Sequence, residues 1–502
     1  LSNCMNVIDA IPKADFLIKS IAEQGYTLEA AIADLIDNSI TANSNVIQVL
    51  IDSDIEPFQL FLADNGDGMS SDELTHNMQF PSSSPEGERA QLDLGRFGLG
   101  MKAASFSQTR KFTVLSRKQG EENYYGLTWD VDHLVKTKKW EIVVNNQAEI
   151  DQLVSEFNKL NNEFNGQVSE FSPNTIVIWS GLYKFEKYLK EHNRKKALHR
   201  EIVQNTTEHL GIVFHRFLES SKDPLTIRVN NVHIRSFNPF PESKQSLRKL
   251  EFKQKGFGND NIKLEGFILP SSSIKDSQQP DNAWTTPNKS LLDMEGVYIY
   301  RANRLIIYGG WNGLIRKAPR IQLARLRVDI GNKADHLLHL NVAKSQVMIP
   351  HELIKAFKGY VEELTAEAEK EFYNRGINKF SYKASNKEAK FFRKIHSNKG
   401  PLLEINYEFP LLNDLVESCD SKQKVKLNLL IRMINTTINK IRDTHEDVPF
   451  YKCEETKNMN FVEAILNLRE HGYSNEFIKK NLISELGIEL KTLPNNILEM
   501  LE

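Results

Sequence analysis

Between Thr27 and Asn43 the apolar residues Leu28, Ala31, Ile32, Leu35 and Ile36 recur at i, i+3 and i+4, the spacing of one helix face. Thr27 precedes them as a good capping residue, and Glu29 falls in the first turn, where the helix dipole favours an anion. A core-facing helix is predicted here. Runs rich in β-branched and aromatic residues at Val46–Ile51, Gln59–Ala63, Lys111–Ser116, Tyr124–Trp129 and Thr175–Trp179 read as strands. Helices mixed with largely antiparallel strands predict an α+β sandwich.

The pattern breaks between Ser70 and Leu94, where Pro81-Ser82-Ser83-Ser84-Pro85-Glu86-Gly87 reads as a surface loop. Loops of this length are more often functional than idle. A polar stretch, Phe185–Arg200, leads into a second block of short strands at Leu225–Val229, Ile262–Leu269, Gly296–Tyr300 and Arg304–Tyr308. Beyond Pro350 strand signals become rare and helical periods dominate, from His351–Phe372 to Phe477–Leu501. Three domains are predicted, at 1–204, 205–352 and 353–502, the last helical, which suits a chain of 502 residues at roughly 100–200 residues per domain. No repeat of solenoid period is present.

Lys+Arg 64 against Asp+Glu 66 gives a net charge of −2, which excludes a uniformly phosphate-coating protein but leaves local patches open. One candidate is Arg375–Lys399, where eight lysines and arginines meet a single acid, Glu388, among Phe380, Tyr382, Phe391 and Phe392. Such a segment fits nucleic acid through phosphates and stacking, and equally fits a solvated linker helix. Phe185–Arg200 is a second patch, diluted by glutamates. Cys4, Cys419 and Cys453 suit neither a disulfide framework nor a zinc site. With no apolar run of membrane-spanning length and no signal-peptide layout, the expectation is a cytoplasmic protein without a membrane partner. Neither H-E-x-x-H nor the G-x-x-x-x-G-K-[ST] phosphate loop occurs.

Three short motifs carry candidate chemistry. In Ala33-Asp34-Leu35-Ile36-Asp37-Asn38-Ser39 a carboxylate and a carboxamide four residues apart project from neighbouring helix positions, able to hold a water and Mg²⁺. In Asp64-Asn65-Gly66-Asp67-Gly68-Met69, at a strand end, the glycines permit a sharp turn close to a flat ligand, and Asp64 can accept from an exocyclic amine. Gly95-Arg96-Phe97-Gly98-Leu99-Gly100-Met101-Lys102 leads into a helix whose amides can cradle phosphate, with Lys102 adding charge. Each alone is weak, since a mid-helix Asp/Asn pair is usually a solvated face and D-x-G-x-G usually a turn. The glycine order and the missing βαβ unit rule out a Rossmann dinucleotide site.

In this order the motifs resemble those of the GHKL ATPase superfamily, which includes gyrase-type topoisomerases, MutL repair proteins, large heat-shock chaperones, histidine kinases and MORC proteins. Asp34 to Asn38 is similar to its N box, Asp64-x-Gly66-x-Gly68 to its adenine motif, and Gly95 to Gly100 to its phosphate-lid motif. Thr175 in Pro173-Asn174-Thr175-Ile176-Val177-Ile178-Trp179 resembles the strand threonine of the adenine site. The texture is nearest to MORC proteins. Tyr300-Arg301-Ala302-Asn303-Arg304-Leu305-Ile306 resembles the asparagine-arginine strand of the MutL/MORC transducer, and Asn341-Val342-Ala343-Lys344-Ser345-Gln346 the loop bearing its catalytic lysine. The resemblance covers about residues 10–355.

It implies a Bergerat-type α/β sandwich, a ribosomal-protein-like α/β transducer and a helical remainder. It further implies ATP and Mg²⁺ as cofactors. Asn38 would bind the metal, Asp64 the adenine amine, Gly66, Gly68, Met69 and Thr175 would complete that pocket, and Gly95, Gly98, Gly100 and Lys102 would hold the phosphates. Lys344 would reach the γ-phosphate; read by itself it is a solvated loop lysine. Asp34 stands where the family carries its glutamate base, with Asp37 or no base as competitors, so slow turnover is expected. Thr41 replaces a common aspartate. A lid at about 70–100 would close on ATP and two copies would clamp as a homodimer on DNA, of the kind bacterial genomes pair with restriction or phage-defence genes and their partner proteins. A chaperone-like ATPase acting on protein and a non-hydrolysing ATP sensor are the alternatives. No strand-cleaving motif is visible.

Overall fold

The computed structural model describes residues 13–23, 25–79, 100–164, 171–257, 260–331, 351–380, 391–397 and 400–442, with short stretches beyond. After α1 (Ala14–Ala22), the predicted helix forms as α2 (Leu28–Thr41), and the Thr27 hydroxyl accepts from the Ala30 amide at its start. The first sheet takes β1 (Val46–Asp52), β2 (Gln59–Asp64), β3 (Lys111–Ser116), β4 (Tyr125–Asp130), β5 (Val143–Val144), β6 (Thr175–Ser180), β7 (Thr226–Val229) and β8 (Val232–His233). Their spatial order is β5-β4-β3-β6-β2-β1-β7-β8, antiparallel except where β1 meets β7. Helical backbone runs through residue 205 without a break, and β7 then returns to this sheet.

Strand alternation sends side chains to two cores. Val49, Ile51, Leu60, Leu62, Val114, Val177 and Trp179 pack with Leu28, Ile32 and Leu35 of α2 and with Ala103 and Ala104 of α4 (Gly100–Gln108). Leu50, Phe61, Ala63, Leu115, Ile176 and Ile178 face Ile150, Phe157 and Leu160 of the helix Gln147–Glu163 on the opposite side. Each large aliphatic side chain buried in this way contributes roughly 1.5–3 kcal/mol. The helix that carries Asp34 and Asp37 is therefore fixed by packing before any ligand is considered. Trp179 donates its indole N–H to Ser105 Oγ at 2.9 Å, tying β6 to α4.

The region expected as a loop after Ser70 begins instead with α3 (Ser71–Met78), because Ser70 and Glu73 form a reciprocal capping box. Residues 80–99 of the expected lid lie outside the described residues. The second sheet comprises β9 (Arg248–Lys249), β10 (Lys253–Phe257), β11 (Asp260–Ile268), β12 (Gly296–Arg301), β13 (Arg304–Tyr308) and β14 (Ala324–Ile330), in the order β10-β11-β14-β12-β13 with β9 against β11. Ala302 and Asn303 both have positive φ, 44° and 67°, the backbone of a tight hairpin turn between β12 and β13.

Residues 1–269 with 273–364 form one compact unit and 365–502 with 270–272 a second. The second is not purely helical. Phe392–Ser397 (β15) and Gly400–Ile405 (β16) make an antiparallel hairpin ahead of helices Pro410–Ser418 and Ser421–Arg442. Asn439 and Asn435 of the second of these helices accept from the Leu403 and Ile405 amides, completing the strand edge through contacts distant in sequence. The helix expected at Phe477–Leu501 lies largely outside the described residues. Among the described residues no helix is long and apolar enough to cross a membrane.

Candidate functional site

One turn of α2 separates Asp34, which is buried, from Asn38, which is exposed. Tyr26, just before the helix, donates its hydroxyl to Asp34 Oδ2 at 2.7 Å. Burial, then the charge of Asp34, pushes the Tyr26 phenol well above its ordinary range, so it remains a donor. Asp37 is buried as well and accepts from Arg304 Nε at 2.7 Å.

Asp64 closes β2 and is buried. Ser39 Oγ donates to its Oδ2 at 2.8 Å and the Gly66 amide to its Oδ1 at 3.0 Å. Burial raises the pKa of this carboxyl, while the two hydrogen bonds oppose that rise. The antiparallel register of β2 and β6 sets Asp64 opposite Thr175. Thr175 Oγ1 shares a hydrogen bond of 2.8 Å with Ser116 Oγ, which in turn accepts from the Met69 amide at 3.0 Å. Asp64, Gly66, Gly68, Met69 and Thr175 are thus drawn together, and Ser39 ties them to the helix of Asp34 and Asn38.

Gly66 and Gly68 lie tight against the surrounding chain. Their close approach is to protein backbone: a Cβ at Gly66 would lie 2.5 Å from the Ala42 carbonyl oxygen, and one at Gly68, where φ is +66°, 1.8 Å from that of Arg117. Asn174 secures the same turn, donating its amide N–H to the Asp64 carbonyl and its side chain to the Gly66 carbonyl, both at 2.7 Å. Gly100 opens α4, and among the described residues nothing lies within 4 Å of a Cβ added there. Lys102 is buried, and its ammonium donates to the carbonyls of Asn77, at 2.8 Å, and Gln79, capping the end of α3. These two bonds tie the start of α4 to the end of α3. Gly95, Gly98 and Lys344 lie outside the described residues.

Sequence reasoning missed Tyr26, Ser39, Ser116 and Asn174, and gave Arg304 no role. Ser39 stood beside Asn38, and Ser116 at a strand end; only the register shows that the second meets Thr175. Among the described residues no group of three or more His, Cys, Asp or Glu is placed to hold a metal ion. Asn38 offers one neutral oxygen at an exposed position. That suits Mg²⁺ carried in with phosphate oxygens and water, the arrangement the ion usually adopts. Of the two basic patches, Arg393 pairs with Glu404, Arg194 with Glu56 at 2.8 Å, and Lys195 with Asp54. Lys187, Lys190, Lys196 and Arg200 are exposed.

The strand-end carboxylate Asp64 is thus bound, through Ser39, to a helix that bears Asp34 and Asn38 one turn apart. Residues 26–166 match the family model of histidine kinase-, DNA gyrase B-, and HSP90-like ATPases, and the chain carries a GHKL-type ATPase domain. Chaperone protein HtpG of Rickettsia canadensis (strain McKiel) is 24% identical over 268 residues, covering 49% of this chain and 37% of that protein. HtpG of Rickettsia typhi (strain ATCC VR-144 / Wilmington) is 27% identical over 268 residues, covering 48% and 37%. ATPase morc-1 of Caenorhabditis elegans is 32% identical over 92 residues, covering 18% of this chain and 10% of the relative. The chain thus spans less than half the length of the HtpG proteins it matches.

Proposed function

We propose that this chain binds Mg-ATP at the first sheet and hydrolyses it slowly. The observation that carries the reading is Asp64, a buried acceptor fixed by Ser39 and Gly66 and set opposite Thr175. Such an immobile acceptor at the end of an apolar strand suits the exocyclic amine of adenine, with Met69 beside it. Asn38 would supply a side-chain oxygen to the Mg²⁺ that neutralises the phosphates. The amides of Gly95, Gly98 and Gly100 would surround the phosphates. Lys102 joins them by exchanging its Asn77 and Gln79 carbonyls for phosphate oxygens. Lys344 would bring a second positive charge to the γ-phosphate.

Asp34 is the proposed general base, a role typically worth 10²–10⁴-fold. Its stem is one methylene shorter than the superfamily's glutamate, and a misplacement of about 1 Å can cost about 10²-fold, hence slow turnover. The test is ATP affinity and turnover of wild type, Asp64→Asn and Asp34→Asn. Loss of binding in Asp64→Asn, and loss of turnover with binding kept in Asp34→Asn, support the reading.

For the partner, we infer an ATP-driven homodimer that clamps DNA through basic patches, in company with partner proteins of a defence system. The reading rests on the MORC-like motif texture and on the exposed Lys187, Lys190, Lys196 and Arg200. A protein substrate is the second reading, favoured by the matches to HtpG, named a chaperone, over about half of this chain. Stimulation of turnover by duplex DNA supports the first, and stimulation by unfolded protein alone supports the second.

A further inference from the structure

Arg304 is the first residue of β13, just after the tight turn at Ala302 and Asn303, and its side chain leaves the second sheet to lie against α2. The guanidinium gives a short hydrogen bond to Asp37, Nε to Oδ1 at 2.7 Å, and a longer contact to Asp34, with a terminal nitrogen 3.6 Å from Oδ1. Both carboxylates have side chains only 2% exposed, and Arg304 only 5%. The Phe214 ring lies 5.7 Å from the guanidinium carbon. Asp34 is therefore approached from two directions, by the Tyr26 hydroxyl at one oxygen and by Arg304 at the other.

We propose that Arg304 is a positioning residue for ATP hydrolysis, fixing the Asp34 carboxylate directly and through Asp37 so that the second sheet is part of the site. The inference rests on the reading of Asp34 as the base. The geometry separates two jobs. The tight bond goes to Asp37, which anchors the helix face, while the looser contact restrains Asp34 without competing strongly for the oxygen that must take a proton. A planar fork of donors reaches both carboxylates at once; a lysine ammonium, a single point of charge, cannot reproduce that geometry. Asp37 and Arg304 are 267 residues apart in sequence, so movement of the second sheet relative to the first would reach the base through Arg304.

The experiment is steady-state ATPase kinetics together with equilibrium binding of ATP for wild type, Arg304→Ala, Arg304→Lys and Arg304→Ala/Asp37→Asn. Arg304→Ala is expected to lower kcat about tenfold or more while ATP affinity stays within about twofold. Arg304→Lys should fall between, and the double variant should be no worse than Arg304→Ala, since both changes act on one unit. If Arg304→Ala does not fold, Arg304→Lys, which retains the buried cation, carries the same test: kcat falls at constant affinity. If the wild type turns over, an unchanged kcat in the Arg304 variants overturns this inference alone, as does a loss of kcat matched by an equal loss of affinity. A wild type that binds ATP without turnover overturns the hydrolysis reading and this inference with it.

Discussion

A methyl group at position 68 would meet the Arg117 carbonyl oxygen at 1.8 Å in a left-handed backbone conformation, so Gly68 is demanded by the protein's own fold. Gly68→Ala is expected to cost about 1–3 kcal/mol and lower the melting temperature by several degrees even without nucleotide; a melt unchanged from wild type would contradict this. Lys102 makes a second prediction. Burial pushes its ammonium down from 10.5 to about 8. Below pH 8 folded and unfolded chains both hold the proton, and the burial cost is fully present. Between about 8 and 10.5 the unfolded chain binds the proton and the folded chain does not, so this residue's contribution to stability rises with pH across that window. Denaturant unfolding of wild type and Lys102→Met at pH 7 and about pH 9.5 should show the difference shifting towards wild type at the higher pH. A difference independent of pH would refute the assignment.

The elements read most easily from sequence were those stabilised locally. The helix Leu28–Thr41 announced itself by its 3.6-residue period and Thr27 cap, and the strands β1, β2, β3, β4 and β6 by their branched and aromatic runs. What stayed hidden depends on partners far along the chain. Ser39 meets Asp64, Ser116 meets Thr175, and Arg304 meets Asp37 only through tertiary packing and strand register. The β15–β16 hairpin escaped notice for the same reason, since its edge is completed by Asn435 and Asn439 on a later helix. Replacing Asn439 by Ala should leave buried groups of Leu403 unpaired, at about 1–3 kcal/mol. Hydrogen exchange would then show faster exchange at the Leu403 amide than at amides of the first sheet, and equal protection would count against the contact.

At the scale of the whole molecule the net charge is −2, and among the described residues Arg194, Lys195 and Arg393 pair with acids while Lys187, Lys190, Lys196 and Arg200 are exposed. If DNA is the partner, its affinity should fall several-fold between low and physiological salt, as released counterions require; binding indifferent to salt would remove DNA from the account. The central claim is that the first sheet holds ATP so that Asp34 can activate water. Single-turnover hydrolysis of Mg-ATP by wild type and Asp34→Asn, with ATP affinity measured in parallel, tests it most directly. The expected result is equal affinity with hydrolysis reduced about 10²-fold or more in Asp34→Asn; wild-type hydrolysis by Asp34→Asn, or a wild type that binds no ATP, would contradict it.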